Sequence, residues 1–398
     1  MRPSSFASRP SVIALIAFAV LIVSSCARST STPSGFTPVS VAAGGLHSCG
    51  LTSHGVAYCW GRNVSGELGN GTLTKSARPV AVVGSLLFAN ISVGTYHTCG
   101  VTTGGTAYCW GYSNEGELGD SSAASAVEPT KVAGAIVFAS VSAGSTHTCG
   151  VSSSGTAYCW GSNSAGELGI DSATGPDYCQ GIRYGVYCSL TPLAVTGALK
   201  FASVSAGDRF TCGLTTAGAA YCWGLNSSGQ LGDGSVVASS APVAVGGAHT
   251  FTALSVGAQH ACALTAGGAV YCWGDNRYGQ VGTPYGQNAG SPAAVAGAAG
   301  FASISAGLLH SCGLTASGAA FCWGNNTTGS LGNGTLTSTG TPQAVSGGLV
   351  FTFIAAGYEH TVAVAGDRLA YAWGDNELGE LGTGTYANAL TPTPVARP

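Results

Sequence analysis

Charge is what this sequence has least of: Asp, Glu, Lys and Arg make up 7% of its 398 residues, where a soluble domain carries roughly 25%. A chain so poor in Lys and Glu is not built mainly from solvated amphipathic helices. No Lys/Arg run or basic stripe occurs and the formal net charge is -3, so the electrostatic footprint of a nucleic-acid binder is missing. No nucleic acid is expected as a partner. The N-terminal apolar stretch, residues 12–23, is 12 residues long and too short to span a bilayer as a mature helix. There is no C-x-x-C pair of the kind that zinc knuckles use, no convincing Ser/His/Asp set, no paired carboxylates and no cofactor fingerprint. The run "GELGNG" (66–71) has the glycines of a phosphate loop but no following helix to supply an anion-binding N-terminus. The reading is non-catalytic, with no cofactor and no metal.

What is present is glycine, 63 residues of it, with 15 cysteines and seven tryptophans. Gly, Thr, Val, Ser and Tyr suit short strands and tight turns, which makes all-β the expected class. The tryptophans stand at 60, 110, 160, 223, 273, 323 and 373, steps of 50 residues with a single step of 63. A fixed period of this kind marks a repeat architecture whose units stack to bury their surface. Within one unit the pattern gives four strands, 88–94, 97–102, 106–111 and, in the first copy, 78–82, with a hairpin turn at Thr103-Gly104-Gly105. Small and apolar residues occupy both strand faces, as in a sheet covered on both sides. Seven four-stranded antiparallel sheets in a closed ring make a seven-bladed β-propeller; an open solenoid would carry distinct capping units.

The cysteines follow the same period. Cys99 and Cys109 are symmetric about Gly104 and so face each other across the hairpin, close enough for a disulfide at a non-hydrogen-bonded pair. The same spacing joins Cys49 with Cys59, Cys149 with Cys159, Cys212 with Cys222, Cys262 with Cys272, and Cys312 with Cys322. The seventh unit carries Val362 and Ala372 instead, and this joint loss is what bonded partners show. Cys179 and Cys188 lie in a 13-residue insertion at about 170–190 and form a further pair. Histidines 47, 97, 147, 260, 310 and 360 share one position, with Phe210 in the fourth copy. A site that survives replacement by Phe, with no carboxylate repeating beside it, is expected to pack and to hydrogen-bond neighbouring backbone, not to hold metal. The Tyr-x-Trp pairs, Tyr108 with Trp110 for example, are expected between blades.

The N-terminus carries Arg2 and Arg9 ahead of the apolar stretch and reads as a signal peptide over residues 1–25. Val23-Ser24-Ser25-Cys26 resembles a bacterial lipobox, which implies lipidation of Cys26, a Ser/Thr/Pro-rich tether over 26–35, and an exported protein at the outer membrane or cell surface. The propeller then occupies 36–398.

The motif Ser-x-Gly-x-x-His-[Ser/Thr]-Cys followed by Tyr-Cys-Trp-Gly-x-Asn-x-x-Gly-x-Leu-Gly resembles the regulator-of-chromosome-condensation repeat family over residues 36–398. The resemblance implies a seven-bladed propeller, often closed by a terminal strand that completes a blade from the other end. The eukaryotic founder is a nuclear guanine-nucleotide exchange factor that also binds chromatin. Because this chain has an export signal, disulfides and no basic tail, exchange is set aside, and bacterial exported members that inhibit β-lactamases by one face of the ring offer the nearer precedent.

In a four-stranded antiparallel blade the first and third loops share one face. The copies differ most in the first loop, which supplies Tyr96, Asp208, Arg209, Gln259, Leu308, Leu309, Tyr358 and Glu359, while the third loop adds Tyr112, Arg277 and Tyr278. The insertion adds Tyr178, Arg183, Tyr184 and Tyr187 on the same face. Large side chains among small polar ones suit a protein-binding hot spot, and a stapled Tyr-rich loop loses little entropy on binding. The expected function is a cell-envelope or extracellular protein-binding or scaffolding module, held to the membrane through its lipid anchor only. An inhibitor of a secreted enzyme and a glycan-binding propeller are the alternatives.

Overall fold

Hairpins form wherever two runs of β-forming residues flank a glycine turn. In the computed structural model the first blade has strands at Pro38–Ala43, His47–Thr52, Ala57–Gly61 and Ser76–Ala81. They pair in that order as one antiparallel sheet. The structure describes Met1 and residues 36–180, 185–297 and 300–398; the signal-peptide and tether assignments and Cys26 fall outside that range. Six more sheets repeat the first, giving an all-β, seven-bladed propeller with six four-stranded sheets and one five-stranded sheet. The hairpin turn between the second blade's strands His97–Thr102 and Ala107–Gly111 uses Gly105 at φ 80°, a conformation that costs glycine little.

The first strand of each blade is innermost, and the blades meet through a repeated seam. Each tryptophan is fully buried and its Nε1 donates to a main-chain carbonyl of the preceding blade at 2.7–3.0 Å, Trp110 to Glu67 and Trp60 to Glu380 among them. Gly69 lies flat against Trp110, where a Cβ would collide with the indole. Seven buried indoles, one to a seam, give each seam a large aromatic payload. The half-turn "GELG" is therefore a shelf for the next blade's indole and not an anion cradle.

Around the axis, seven main-chain bonds form a closed girdle. The amide of the residue after each Ser-x-Gly glycine donates to the next blade at 3.0–3.2 Å, Thr95 to Gly144 and Tyr358 to Gly44 for example. A Cβ on Gly44, Gly94, Gly144, Gly207, Gly257, Gly307 or Gly357 would strike the neighbouring glycine carbonyl. Side chains are excluded there because backbones approach too closely.

The ring closes by stacking. The seventh blade uses its own four strands, Phe351–Ala356, His360–Ala365, Ala370–Gly374 and Ala389–Pro394, so among the described residues no terminal strand is shared, unlike the closure the family resemblance often implies. Phe36 and Trp60 of the first blade bury Val362, Val364 and Ala372 of the last, and Gly384 N–H donates to Ala77 O at 2.7 Å.

Candidate functional site

The histidine ring is the first set of chemistry-bearing groups to place, because six imidazoles at one level invite a relay or a metal. Each is buried, and its Nε2 meets the next blade's hydroxyl at 2.7–2.9 Å: His47 with Thr98, His97 with Thr148, His147 with Thr211, His260 with Ser311, His310 with Thr361 and His360 with Ser48. Those hydroxyls in turn donate to the carbonyl that also accepts the indole, as Thr98 does to Glu67 O at 2.9 Å. The hydroxyl proton is thereby used, so Nε2–H must be the donor, which fixes the tautomer. Burial holds His47, His97, His147, His260 and His360 at about 3 and His310 at about 4, all below the ordinary 6.5. Neutral, inward-facing and donating across seams, the rings are structural. Their partner is the next blade's side chain, a contact the sequence did not reveal.

The face formed by the first and third loops is different in kind. At its centre the Tyr358 hydroxyl crosses the ring to Thr95 Oγ1 at 2.5 Å and Ser145 Oγ at 3.0 Å, and these two are themselves 2.9 Å apart. Together they cap an axial cavity of about 80 Å³ lined by Ala, Val and Gly from all seven blades. Burial raises the Tyr358 phenol above its usual range, with Asp208 adding to the effect. Tyr96 and Tyr112 pack with ring centroids 6.0 Å apart, and Arg62, which pairs with Glu67, lies over the Tyr96 ring at 4.9 Å. Asp208 is half-buried and Arg209 exposed; Gln259, Leu308, Leu309 and Glu359 are half-buried. Arg277 Nε pairs with the buried Asp275 at 3.0 Å, beside the exposed Tyr278.

The insertion builds a hairpin at the outer edge of the third blade, Asp177–Gln180 against Gly185–Ala194. Tyr178 and Tyr187 are opposite each other, 71% and 47% exposed, with their rings edge to face at 5.7 Å. Cys179 is bonded to Cys188; Arg183 and Tyr184 lie outside the described residues. The candidates thus fall into two groups, one around the axis and one on the outer edge. Sequence reasoning missed Arg62, whose partner Glu67 is five residues away and whose role depends on the neighbouring blade. It also missed Glu117, a buried carboxyl whose Oε1 has no hydrogen-bond partner among the described residues and which burial raises to about 8.

The third loops owe their shape to an asparagine in six copies. Asn63 Oδ1 accepts from Leu68 N–H at 2.9 Å while its amide donates to Thr72 O and Thr74 O. Different side chains are thus displayed on one loop frame.

A model of the RCC1-like domain matches residues 22–347, and one of the regulator of chromosome condensation (RCC1) repeat matches 351–380. No curated protein sequence matches the chain. Among solved structures it is similar to human WBSCR16, at 19% identity and a TM-score of 0.76 over 86% of this chain and 94% of that one. Yeast RCC1 (Prp20), in a complex with Kap60, gives 22% identity and 0.75 over 87% and 85%. The ectodomain of the Arabidopsis thaliana receptor kinase ACR4 gives 21% and 0.53 over 88% and 99%.

These likenesses correct several expectations. The relatives are human, yeast and plant proteins, which overturns the assignment to bacterial exported lipoproteins. The lipid anchor at Cys26, membrane attachment through it, and an outer-membrane, cell-surface or secreted location fall with that assignment. The β-lactamase-inhibitor precedent falls too. Setting exchange aside, and reading the ring as non-catalytic, is overturned by the likeness to yeast RCC1 (Prp20), an exchange factor. Exchange breaks no covalent bond, so the lack of an acid–base set never bore on it, and the export signal, disulfides and missing basic tail for which exchange is set aside do not determine what the ring face can bind.

Proposed function

The chain belongs to the RCC1-like domain family, and from that premise we propose that the ring recognises a protein partner on the face formed by its first and third loops. The observation that carries this reading is the contrast between scaffold and loops. The Trp contact repeats in all seven seams and the hydroxyl contact in six, whereas the residue following the girdle glycine is Gly45, Thr95, Ser145, Asp208, Ala258, Leu308 and Tyr358 in turn. A surface individual at every position on a uniform rigid frame suits recognition of one asymmetric partner, with aromatic and Arg anchors at its centre. Relatives supply precedent: a structure of yeast RCC1 (Prp20) is bound to Kap60, and a study of Prp20p describes its binding to Gsp1p and histones.

Site-specific photo-crosslinking tests the face. With a photoreactive residue at Tyr96 or Arg209 the full chain should capture a partner, and at Thr103 or Thr216 on the hairpin turns it should not. Capture from the turns alone would move the working surface to the opposite side. Guanine-nucleotide exchange is a second reading, favoured by the likeness to yeast RCC1 (Prp20). It predicts faster release of labelled GDP from a small GTPase such as Gsp1p when the chain is added, and an unchanged release rate removes it for that GTPase.

A further inference from the structure

The few charges of this molecule are not spread evenly. Of its 16 acidic residues only Glu128, in a fourth strand, Asp177, in the added hairpin of the third blade, and Asp367, in a hairpin turn, lie outside the first and third loops. Lys131, Lys200, Arg368 and Arg397 are all exposed at the opposite end of the blades. Several carboxyls on the loop face are buried, but Asp208, Glu359, Asp375 and Glu377 reach solvent, and none of the four side chains makes a hydrogen bond or ion pair among the described residues. They flank the capped axis: Asp208 follows the girdle in the fourth blade. In the seventh, Glu359 O accepts from Asp375 N–H at 2.9 Å, with Glu377 two residues further on.

The cations of this face are largely engaged. Arg62 is paired with Glu67, Arg277 with Asp275, and Lys75 lies 4.4 Å from the centre of the Tyr386 ring while donating to Glu377 O at 3.4 Å. Arg209 is exposed.

From this separation of charge, and resting on the reading of this face as the docking surface, we infer that the partner presents a basic, Lys/Arg-rich segment to the sector around Asp208, Glu359, Asp375 and Glu377. An excess of free carboxylates on the loop face, with exposed Lys and Arg at the opposite end, orients an approaching basic chain before contact and raises its rate of encounter. The rims of the same face add exposed apolar side chains, Leu73, Val236, Leu336 and Tyr386, at equivalent loop tips. These suit the aliphatic stems of Lys and Arg, which lie on apolar surface while their heads meet carboxylates.

The test uses the full chain and two fluorescein-labelled peptides of equal length, one rich in Lys and Arg and one rich in Glu, read by anisotropy at increasing salt. The basic peptide should bind, weaken steadily with salt, and lose about tenfold or more in affinity to the D208N/E359Q/D375N/E377Q variant. E128Q/D367N, which neutralises two of the acids outside the first and third loops, should bind as the parent does. Should the fourfold variant fail to fold, Glu377→Lys, an exposed side chain without a hydrogen-bond partner, should still weaken binding. The inference is overturned if the basic peptide does not bind, if it binds the fourfold variant or Glu377→Lys as well as the parent, or if the Glu-rich peptide takes its place. Loop-face crosslinks with no effect of the carboxylates would leave the docking face standing and remove the basic partner; crosslinks from the turns alone would remove the face itself.

Discussion

Six of the seven seams rest on a three-centre contact in which one hydroxyl receives from a histidine and gives to a carbonyl shared with an indole. The fourth copy shows what happens when one member changes: Phe210 replaces histidine, and the residue in the next blade that would carry the hydroxyl is Ala261, so ring and methyl pack together in a buried cluster. Histidine and hydroxyl are therefore kept or lost together, because either alone leaves a buried polar group unmet. Thr98→Ala should cost about 1–3 kcal/mol, since it strands the His47 Nε2–H away from water. The double variant His47→Phe/Thr98→Ala should recover part of that loss, seen as a positive coupling in a double-mutant cycle by urea unfolding. Additive costs would mean that the pair does not act as a unit. The sequence displayed the histidine period and its one exception, but the partner lies 51 residues on in another blade, and a list of periodic positions does not say which surfaces touch.

Blades were legible because strand pairing within a hairpin is local. The Cys99 and Cys109 register follows from symmetry about one turn, and the strands do place the two opposite each other with Cα atoms 4.1 Å apart, the sulfurs bonded. The insertion was read as a stapled loop, and it is a hairpin that adds a fifth strand. Its strands are four and ten residues long and its apolar pattern is thin, so periodicity gave little signal there. The two kinds of disulfide should therefore differ in weight. Cys99→Val/Cys109→Ala, which copies the residues of the seventh blade, opens a loop inside a buried sheet and should lower unfolding stability by about 2–3 kcal/mol on the chain-entropy model. Cys179→Ser/Cys188→Ser should leave the melting temperature of the ring nearly unchanged and raise amide exchange only over 177–188, because that hairpin extends past the shared sheet. Equal losses from the two variants would show that the hairpin is part of the cooperative ring.

At the scale of the whole ring, closure depends on the seam between the last and first blades, and that seam is the least reinforced. The seventh blade has no disulfide, and Ala355 stands where Ser92, Ser142, Ser205, Ser255 and Ser305 accept a main-chain N–H from the next blade at 2.9–3.1 Å. What remains includes the His360–Ser48 contact, the Trp60 indole on Glu380 O, and the Tyr358 hydroxyl reaching across to the second and third blades. Histidine burial makes this arrangement sensitive to acid. An imidazole held at about 3 to 4 in the ring but 6.5 when unfolded binds more protons in the unfolded chain, so its contribution is intact above 6.5 and is lost as pH falls toward 3. Each such histidine steepens the loss by up to about 1.4 kcal/mol per pH unit. Glu117, raised to about 8, and Glu380, raised to about 7, act in the other direction: their contribution is intact below 4.5 and is lost as pH rises through those values. Burial raises Glu167 and Glu359 as well, and six histidines outnumber these four glutamates, so stability should be greatest near neutral pH and fall steeply below about 6, with proton uptake on unfolding at pH 5. Hydrogen exchange at that pH should rise first in the strands Pro38–Ala43 and Phe351–Ala356 and last across the fourth-to-fifth seam, where Phe210 and Ala261 carry no titrating group. Uniform loss of protection around the ring, or a melting temperature indifferent to pH between 7 and 4, would show that the histidine seams do not govern its closure.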